Sequence, residues 1–237
     1  MATFQTLVIN LESRADRREV MSSRLKDKKL TYKFIQAVEP KNLNQERKLF
    51  LTETAESVWL SHRKCLEIAA SWNSPTLILE DDAILNFDRS QIEFFSSIMA
   101  EHEIDFLQVG YLKINLAESA LIQLKNWYSF FTRTALAANF FNLFGFKEVG
   151  RAKGQIWRGS LPKNFIVNDV RFGAHCYLIT PKFASQILDL NSPAFLPADD
   201  FYVALSRAKS FKMIRLRKSL SQQDASSSSF SKRFLLK

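Results

Sequence analysis

Apolar residues in this chain alternate between short continuous runs and helix-spaced stripes. Phe4 to Leu11 (FQTLVINL) predicts a strand, and Ser13 offers an N-cap for a helix through about Lys26 with Val20, Met21 and Leu25 on one side. Tyr32 to Val38 (YKFIQAV) predicts a second strand closed by Pro40, which also disfavours helix at Glu39; a polar stretch then runs to about Thr54. From Glu56 to Trp72, Val58, Cys65, Ala69 and Trp72 recur at helical spacing, and Asn73-Ser74-Pro75 stops that helix before the run TLILE. Leu77 to Leu79 are apolar without interruption, as in a parallel strand covered on both faces, and the strand ends in Glu80-Asp81-Asp82. Further on, Gln91 to Met99 predicts a helix, Asp105 to Val109 a strand, and Gly173 to Ile179 a strand followed by a helix from about Pro181. The alternation predicts an α/β fold with a central, mostly parallel sheet flanked by helices.

The 237 residues suffice for one such domain, and six Gly and six Pro leave no long flexible linker. We therefore expect one domain over residues 1–224, with a variable aromatic insert at 113–164 and a basic, Ser-rich tail at 225–237. Cys65 and Cys176 fall in a helix and a buried strand, which predicts free thiols. The opening MATFQTLVIN enters a strand pattern with no basic leader or cleavage site, so a cytoplasmic chain is expected. The net charge of +9 is concentrated: residues 207–237 hold nine basic side chains against Asp224, a local +8, which leaves +1 for the other 206 residues. A near-neutral body argues against a nucleic-acid partner.

Carboxylates at the C-terminal end of a parallel strand sit where open α/β sheets bind ligands. Three adjacent ones repel, so a cation that offsets their charge is one reading of Glu80, Asp81 and Asp82, and oxygen ligands favour Mg²⁺ or Mn²⁺. A solvated acidic turn is the other. Strand alternation puts Glu80 and Asp82 on one side and Asp81 on the other, unless the motif bends into a loop. His62 falls on the helical face of Val58, Cys65 and Ala69, where a buried, hydrogen-bonded histidine is the plain reading. Asp199 and Asp200 precede FYVALSRA and suit a helix N-terminus.

Several stretches together resemble glycosyltransferase family 25, the lipooligosaccharide-type galactosyltransferases. They are VINLESRADRR (8–18), LSHRKCLEIA (60–69), LILEDDAIL (77–85), FGAHCYLITPKFASQIL (172–188), PADDF (197–201) and SLSQQDASSSS (219–229), in the family's order. The resemblance implies a GT-A-like fold and a metal-dependent, inverting transfer of a hexose, galactose from UDP-galactose being the preferred donor. The acceptor would be a hydroxyl of a lipooligosaccharide or another surface glycan, and Mn²⁺ (or Mg²⁺) the ion. It assigns Asp82 and Glu80 to the metal, with Glu80 also toward the nucleotide ribose, and Asp224 as a further ligand, for which an ion pair with Arg217 or Lys218 is the plain alternative. Asn10, Arg17, Arg18, Ser61, His62, Glu80, Asp81 and Gln223 would form the donor site. Asp199, or its neighbour Asp200, would be the catalytic base. A non-catalytic nucleotide-sugar or glycan-binding relative of the same fold is the alternative reading.

The stretch 113–164 departs from the family pattern. It contains WYSFFTRTALAANFFNLFGF (127–146), whose uncharged run of 13 residues from Thr134 to Phe146 falls short of the ~20 that span a bilayer. With the tail FSKRFLLK (230–237), it leads us to expect contact with an anionic membrane surface on the inner face, where a lipid-linked acceptor would lie.

Overall fold

The computed structural model describes residues 3–43, 51–112, 161–192, 194, 196–209 and 211–224. The elements are β1 (Gln5–Asn10), α1 (Ala15–Asp27), β2 (Lys33–Gln36), α2 (Glu53–Ala70), β3 (Thr76–Glu80), β4 (Ala83–Leu85), α3 (Arg89–Glu101), β5 (Phe106–Gly110), β6 (Phe165–Val167), β7 (Cys176–Ile179), α4 (Pro181–Ile187), α5 (Ala198–Ala208), β8 (Met213–Leu216) and β9 (Ser221–Gln223). A one-turn 3₁₀ helix at Pro40–Asn42 follows β2. Most of the aromatic insert, and the tail beyond Asp224, lie outside the described residues. Among those described, no helix is long and apolar enough to cross a membrane.

One sheet in the order β2-β1-β3-β7-β5-β8-β6 organises the molecule, with β9 linking β4 to β5 at its rim. Strands β1, β2, β3, β5 and β8 run the same way, and β7 and β6 run against them, so the sheet is mostly parallel as expected. Successive strand residues point to opposite faces. Leu7, Ile9, Ile78, Phe106 and Tyr177 meet α2, α4 and α5 on one face, while Val8, Leu77, Leu79, Leu107 and Leu178 meet α1 and α3 on the other. Each uninterrupted apolar run is a strand with helices on both sides, which makes three layers.

Local chemistry fixes the helix ends. The Thr52 Oγ1 accepts from the Ala55 amide at the start of α2, three residues earlier than the apolar spacing predicts, and Asp88 and Gln91 form a reciprocal capping box on α3. Arg14, and not Ser13, is the N-cap of α1, without a side-chain cap; its guanidinium turns to Asp16 instead. Two expected core positions are corrected. Val20 and Val58 are exposed at 49% and 40%, and the buried face of α2 runs through Ser57, Trp59, Ser61, His62, Cys65, Leu66 and Ala69. Cys65 and Cys176 are buried free thiols, and burial pushes both pKa values up.

Close packing at the sheet's centre converges on Gly110, the last residue of β5. A Cβ there would stand 2.6 Å from His175 Nε2, 2.7 Å from Ser221 Cβ and 2.9 Å from Cys176 Cβ. These neighbours are buried and backbone-held, so none can retreat cheaply. Gly110→Ala should therefore lower stability by about 2 kcal/mol, within the range for overpacked cores. Urea unfolding checks this; an unchanged midpoint would contradict it.

Candidate active site

The acidic triplet lies where β3 leaves the sheet. Glu80 is the last strand residue, Asp81 and Asp82 form a turn, and the chain reverses into β4, so the bend allowed for in the sequence is present. Its consequence corrects the simple alternation. Glu80 continues the face of Ile78 toward α2, whereas Asp81 and Asp82 both turn toward Arg17 of α1.

Each carboxylate meets a different environment. Asp81 accepts from Arg17 Nη1 at 2.9 Å and from Asn10 Nδ2 at 2.8 Å. Asn10, at the end of the neighbouring parallel strand, also donates to the Arg14 carbonyl and so joins the β1–α1 turn to the triplet. Asp82 is 7% exposed; Arg17 stands 3.9 Å from its Oδ2, and its Oδ1 is buried without a hydrogen-bond partner. Burial, with the charges of Glu80 and Asp81, overcomes Arg17 and pushes the Asp82 carboxyl up to about 7. A buried acceptor left open beside two other acids is a place for a cation or a proton.

Glu80 is held from two sides. Its Oε1 faces His62 Nε2 at 3.3 Å and its Oε2 accepts from Gln223 Nε2 of β9 at 3.0 Å. Burial opposes its ionisation, but the His62 hydrogen bond, the electrostatic pull of His62 and His175, and the Gln223 hydrogen bond together outweigh that and keep its carboxyl below the usual range. A carboxylate only accepts, so His62 presents Nε2–H to Glu80, while its Nδ1 lies at hydrogen-bond distance, 2.8 Å, from the Tyr177 hydroxyl. Tyr177 in turn meets the Tyr202 hydroxyl at 3.0 Å. Tyr202, Tyr177, His62 and Glu80 thus form one continuous hydrogen-bonded chain. Burial raises the pKa of both tyrosines, so they stay protonated. This chain joins the strand that carries the triplet to α5, and neither tyrosine is among the candidate site residues of the sequence.

At the first turn of α5, the Asp199 carboxylate is half-buried and accepts from the Asp200 amide at 3.2 Å, with a further backbone amide hydrogen bond from Gly173. Burial, reinforced by the charge of Glu80, raises its pKa against the pull of those amides. Buried Asn191 fixes the approach to this turn, spanning Leu196 with both ends of its amide and accepting through its carbonyl from Trp59 Nε1. Asp199 and Asp200 both lie in the helix's first turn, as the sequence suggested, and Pro197 is its N-cap.

The other sequence candidates separate. Arg18 stacks over Phe34 at 4.7 Å, not against the acids. Ser61 Oγ accepts from the Val38 amide and donates to the Ser57 carbonyl, so it secures the segment after β2. Asp224 pairs with Arg24 at 2.9 Å, where the sequence suggested Arg217 or Lys218, and its amide donates to the Asp82 carbonyl. Arg24 also donates to the Ala83 carbonyl, and so helps fix the turn. Among the described residues, no three His, Cys, Asp or Glu side chains form a metal cage. The donor set still suits a hard divalent ion held by one or two carboxylates and completed by substrate phosphates and water, as Mg²⁺-type sites commonly are.

The arrangement brings Asn10, Arg17, His62, Glu80, Asp81, Asp82, Gln223 and Asp224 around the C-terminal ends of two adjacent parallel strands. A comparison with curated proteins returned no match. A sequence model of glycosyltransferase family 25 (LPS biosynthesis protein) matches residues 3–202, a span that takes in the β1–α1 turn, the His62 helix, the triplet and Asp199. The chain thus belongs to glycosyltransferase family 25, the LPS biosynthesis glycosyltransferases.

Proposed function

We propose that this glycosyltransferase is metal-dependent and inverting, with a GT-A-like donor site, and moves a hexose from a UDP-sugar, UDP-galactose being the preferred donor, to a hydroxyl of a lipopolysaccharide-type glycan. The observation that carries the reading is Asp82: a buried carboxylate with an open Oδ1, its pKa pushed up, at the end of a parallel strand beside Glu80. Asp82, with Glu80 next to it, would hold Mn²⁺ or Mg²⁺, and such an ion supplies charge stabilisation for the departing nucleoside diphosphate.

The chain's own residues account for the rest. Arg17, fixed by Asp81, offers a cation near the same point, and Glu80, oriented by His62 and Gln223, is placed to accept from a ribose hydroxyl. Inversion needs a base on the acceptor side of the sugar, and Asp199, at the start of α5, takes that role by removing the acceptor hydroxyl's proton as the new bond forms. Burial and the charge of Glu80 raise its pKa, which makes it a better proton acceptor than an ordinary aspartate. The basic, apolar-flanked tail FSKRFLLK (230–237) would draw the enzyme to an anionic membrane face carrying a glycolipid acceptor.

A donor screen by thermal shift tests the reading. UDP-sugars with Mn²⁺ should raise the unfolding midpoint, about 2.7 kcal/mol of added stability at a hundredfold excess over Kd, while GDP- and CMP-sugars should not. A UDP-sugar shift that is the same in EDTA would overturn the metal dependence, and a preference for another nucleotide would overturn the donor.

A further inference from the structure

The segment 168–173, between β6 and β7, is fastened at nearly every residue. The Asn168 amide donates to the Met213 carbonyl, and Asp169 is clasped by the buried Arg215, whose Nε donates to its carbonyl at 2.7 Å and to its carboxylate at 3.0 Å. The Val170 amide donates to Ser206 Oγ of α5. Gln108, 3% exposed, spends its whole side chain here: Nε2 donates to the carbonyls of Arg171 and Gly173, and Oε1 accepts from the Arg171 amide. The Phe172 carbonyl accepts from Leu112, and the Gly173 amide reaches Asp199. So many bonds from buried side chains to one loop make a rigid wall, and that wall ends at the proposed base.

Between this loop and α5 lies a cavity of about 220 Å³ whose lining includes Leu112, Asp169, Arg171, Phe172, Val203 and Arg207. Residues 199, 203 and 207 succeed one another at four-residue spacing, so Asp199 and Arg207 share one face of α5, about 12 Å apart along its axis. Asp169 is the one carboxylate among the described lining residues, and Arg215 already closes on it from the protein interior. Arg171, half exposed, lies 3.7 Å from that same carboxylate. Among the described residues, Arg171 and Arg207 line the cavity and Arg215 backs it against Asp169, so this lining is net basic, while Leu112, Phe172 and Val203 offer apolar surface for a sugar ring.

We propose that this cavity is an acceptor subsite for an anionic glycan unit, a sugar bearing a carboxylate or a phosphate, bound by Arg171 and Arg207 so that the reacting hydroxyl extends along α5 to Asp199. The proposal rests on the transferase reading above, in which Asp199 faces the acceptor. Guanidinium groups bind carboxylate and phosphate through paired hydrogen bonds, so the shared chemistry is a planar or tetrahedral oxyanion on a sugar.

The full-length protein, loaded with UDP and Mn²⁺ at low salt, is titrated with glucuronic acid, glucose 6-phosphate and glucose by ligand-observed NMR. At least one anionic sugar should bind about tenfold more tightly than glucose, and Arg171→Gln and Arg207→Gln should each remove about that factor at unchanged thermal midpoints. Preference for glucuronic acid identifies a carboxylated acceptor unit, and preference for glucose 6-phosphate a phosphorylated one. Equal binding of all three sugars, or anion binding that survives both substitutions, overturns the subsite. UDP binding is recorded on the same sample: if UDP binds and the anions show no preference, the subsite alone fails, whereas absence of UDP binding removes the donor reading and leaves the anion preference to be judged by itself.

Discussion

Replacing Asp82 by asparagine should make the metal-free protein more stable at pH 8 while lowering sugar transfer by about 10²- to 10³-fold. The two effects share one cause. Three carboxylates meet at the end of β3, and Asp82 is buried with Arg17 at 3.9 Å as its nearest counter-charge. Repulsion and burial exceed that attraction, since its carboxyl rises from an ordinary 3.8 to about 7. The folded state therefore holds a proton that the unfolded chain has released, and between about pH 4 and pH 7 stability falls as pH rises, then levels off. Asparagine removes this dependence. The gain should be on the order of 2 kcal/mol above pH 7, several degrees in the thermal midpoint for a chain of this size, and close to nothing near pH 4. Thermal melts in EDTA across that range check it; an Asp82→Asn midpoint at or below wild type at pH 8 would mean the triplet is not under electrostatic strain. The transferase assay then separates this from a benign surface change, because a strained acid kept for function should be missed only when the reaction is run.

Asp199→Asn should lower kcat by about 10²- to 10⁴-fold, the usual contribution of a positioned general base, with little change in donor KM. Asp200→Asn should cost much less. The structure gives the reason for separating two adjacent acids of the same type: Asp199 takes amide hydrogen bonds from Asp200 and Gly173, and burial with the charge of Glu80 raises its pKa. The acid limb of the wild-type rate profile should accordingly lie above the range of a solvated aspartate and should disappear in Asp199→Asn. Collapse of activity in Asp200→Asn with Asp199→Asn near wild type would reverse the assignment.

Much of this was legible from sequence because the central strands are uninterrupted apolar runs and the helices carry their own caps and stripes. The short strands were not. β4, β6, β8 and β9 have three or four residues each, too few for a period, and β9 is Ser-Gln-Gln, a polar segment whose strand character comes only from pairing with β4 and β5. On α2 the expected burial of His62 is met, and Val58 is the misplaced residue, because the buried face also holds Ser57 and Ser61, whose hydroxyls find local carbonyls and which composition counts as exposed. Arg17 and Arg18 are adjacent and equivalent in sequence, yet the ~100° helical step between them turns one to the acids and the other onto Phe34. Arg24 went unnoticed for the same kind of reason: its partner Asp224 is 200 residues away, and only the closure of β9 against β4 brings them together. Tyr177 and Tyr202 are core residues, and what their hydroxyls do depends on His62 lying between them and Glu80, which no local sequence pattern shows.

The central claim is that the Glu80-Asp81-Asp82 turn is a nucleotide-diphosphate site that works with a divalent ion. Isothermal titration of UDP into wild type and Asp82→Asn, each with Mn²⁺ and with EDTA, addresses it directly. Tight binding is expected only for wild type with Mn²⁺, weakening as pH falls below about 7, where Asp82 takes up a proton. Equal UDP affinity in all four titrations would contradict it.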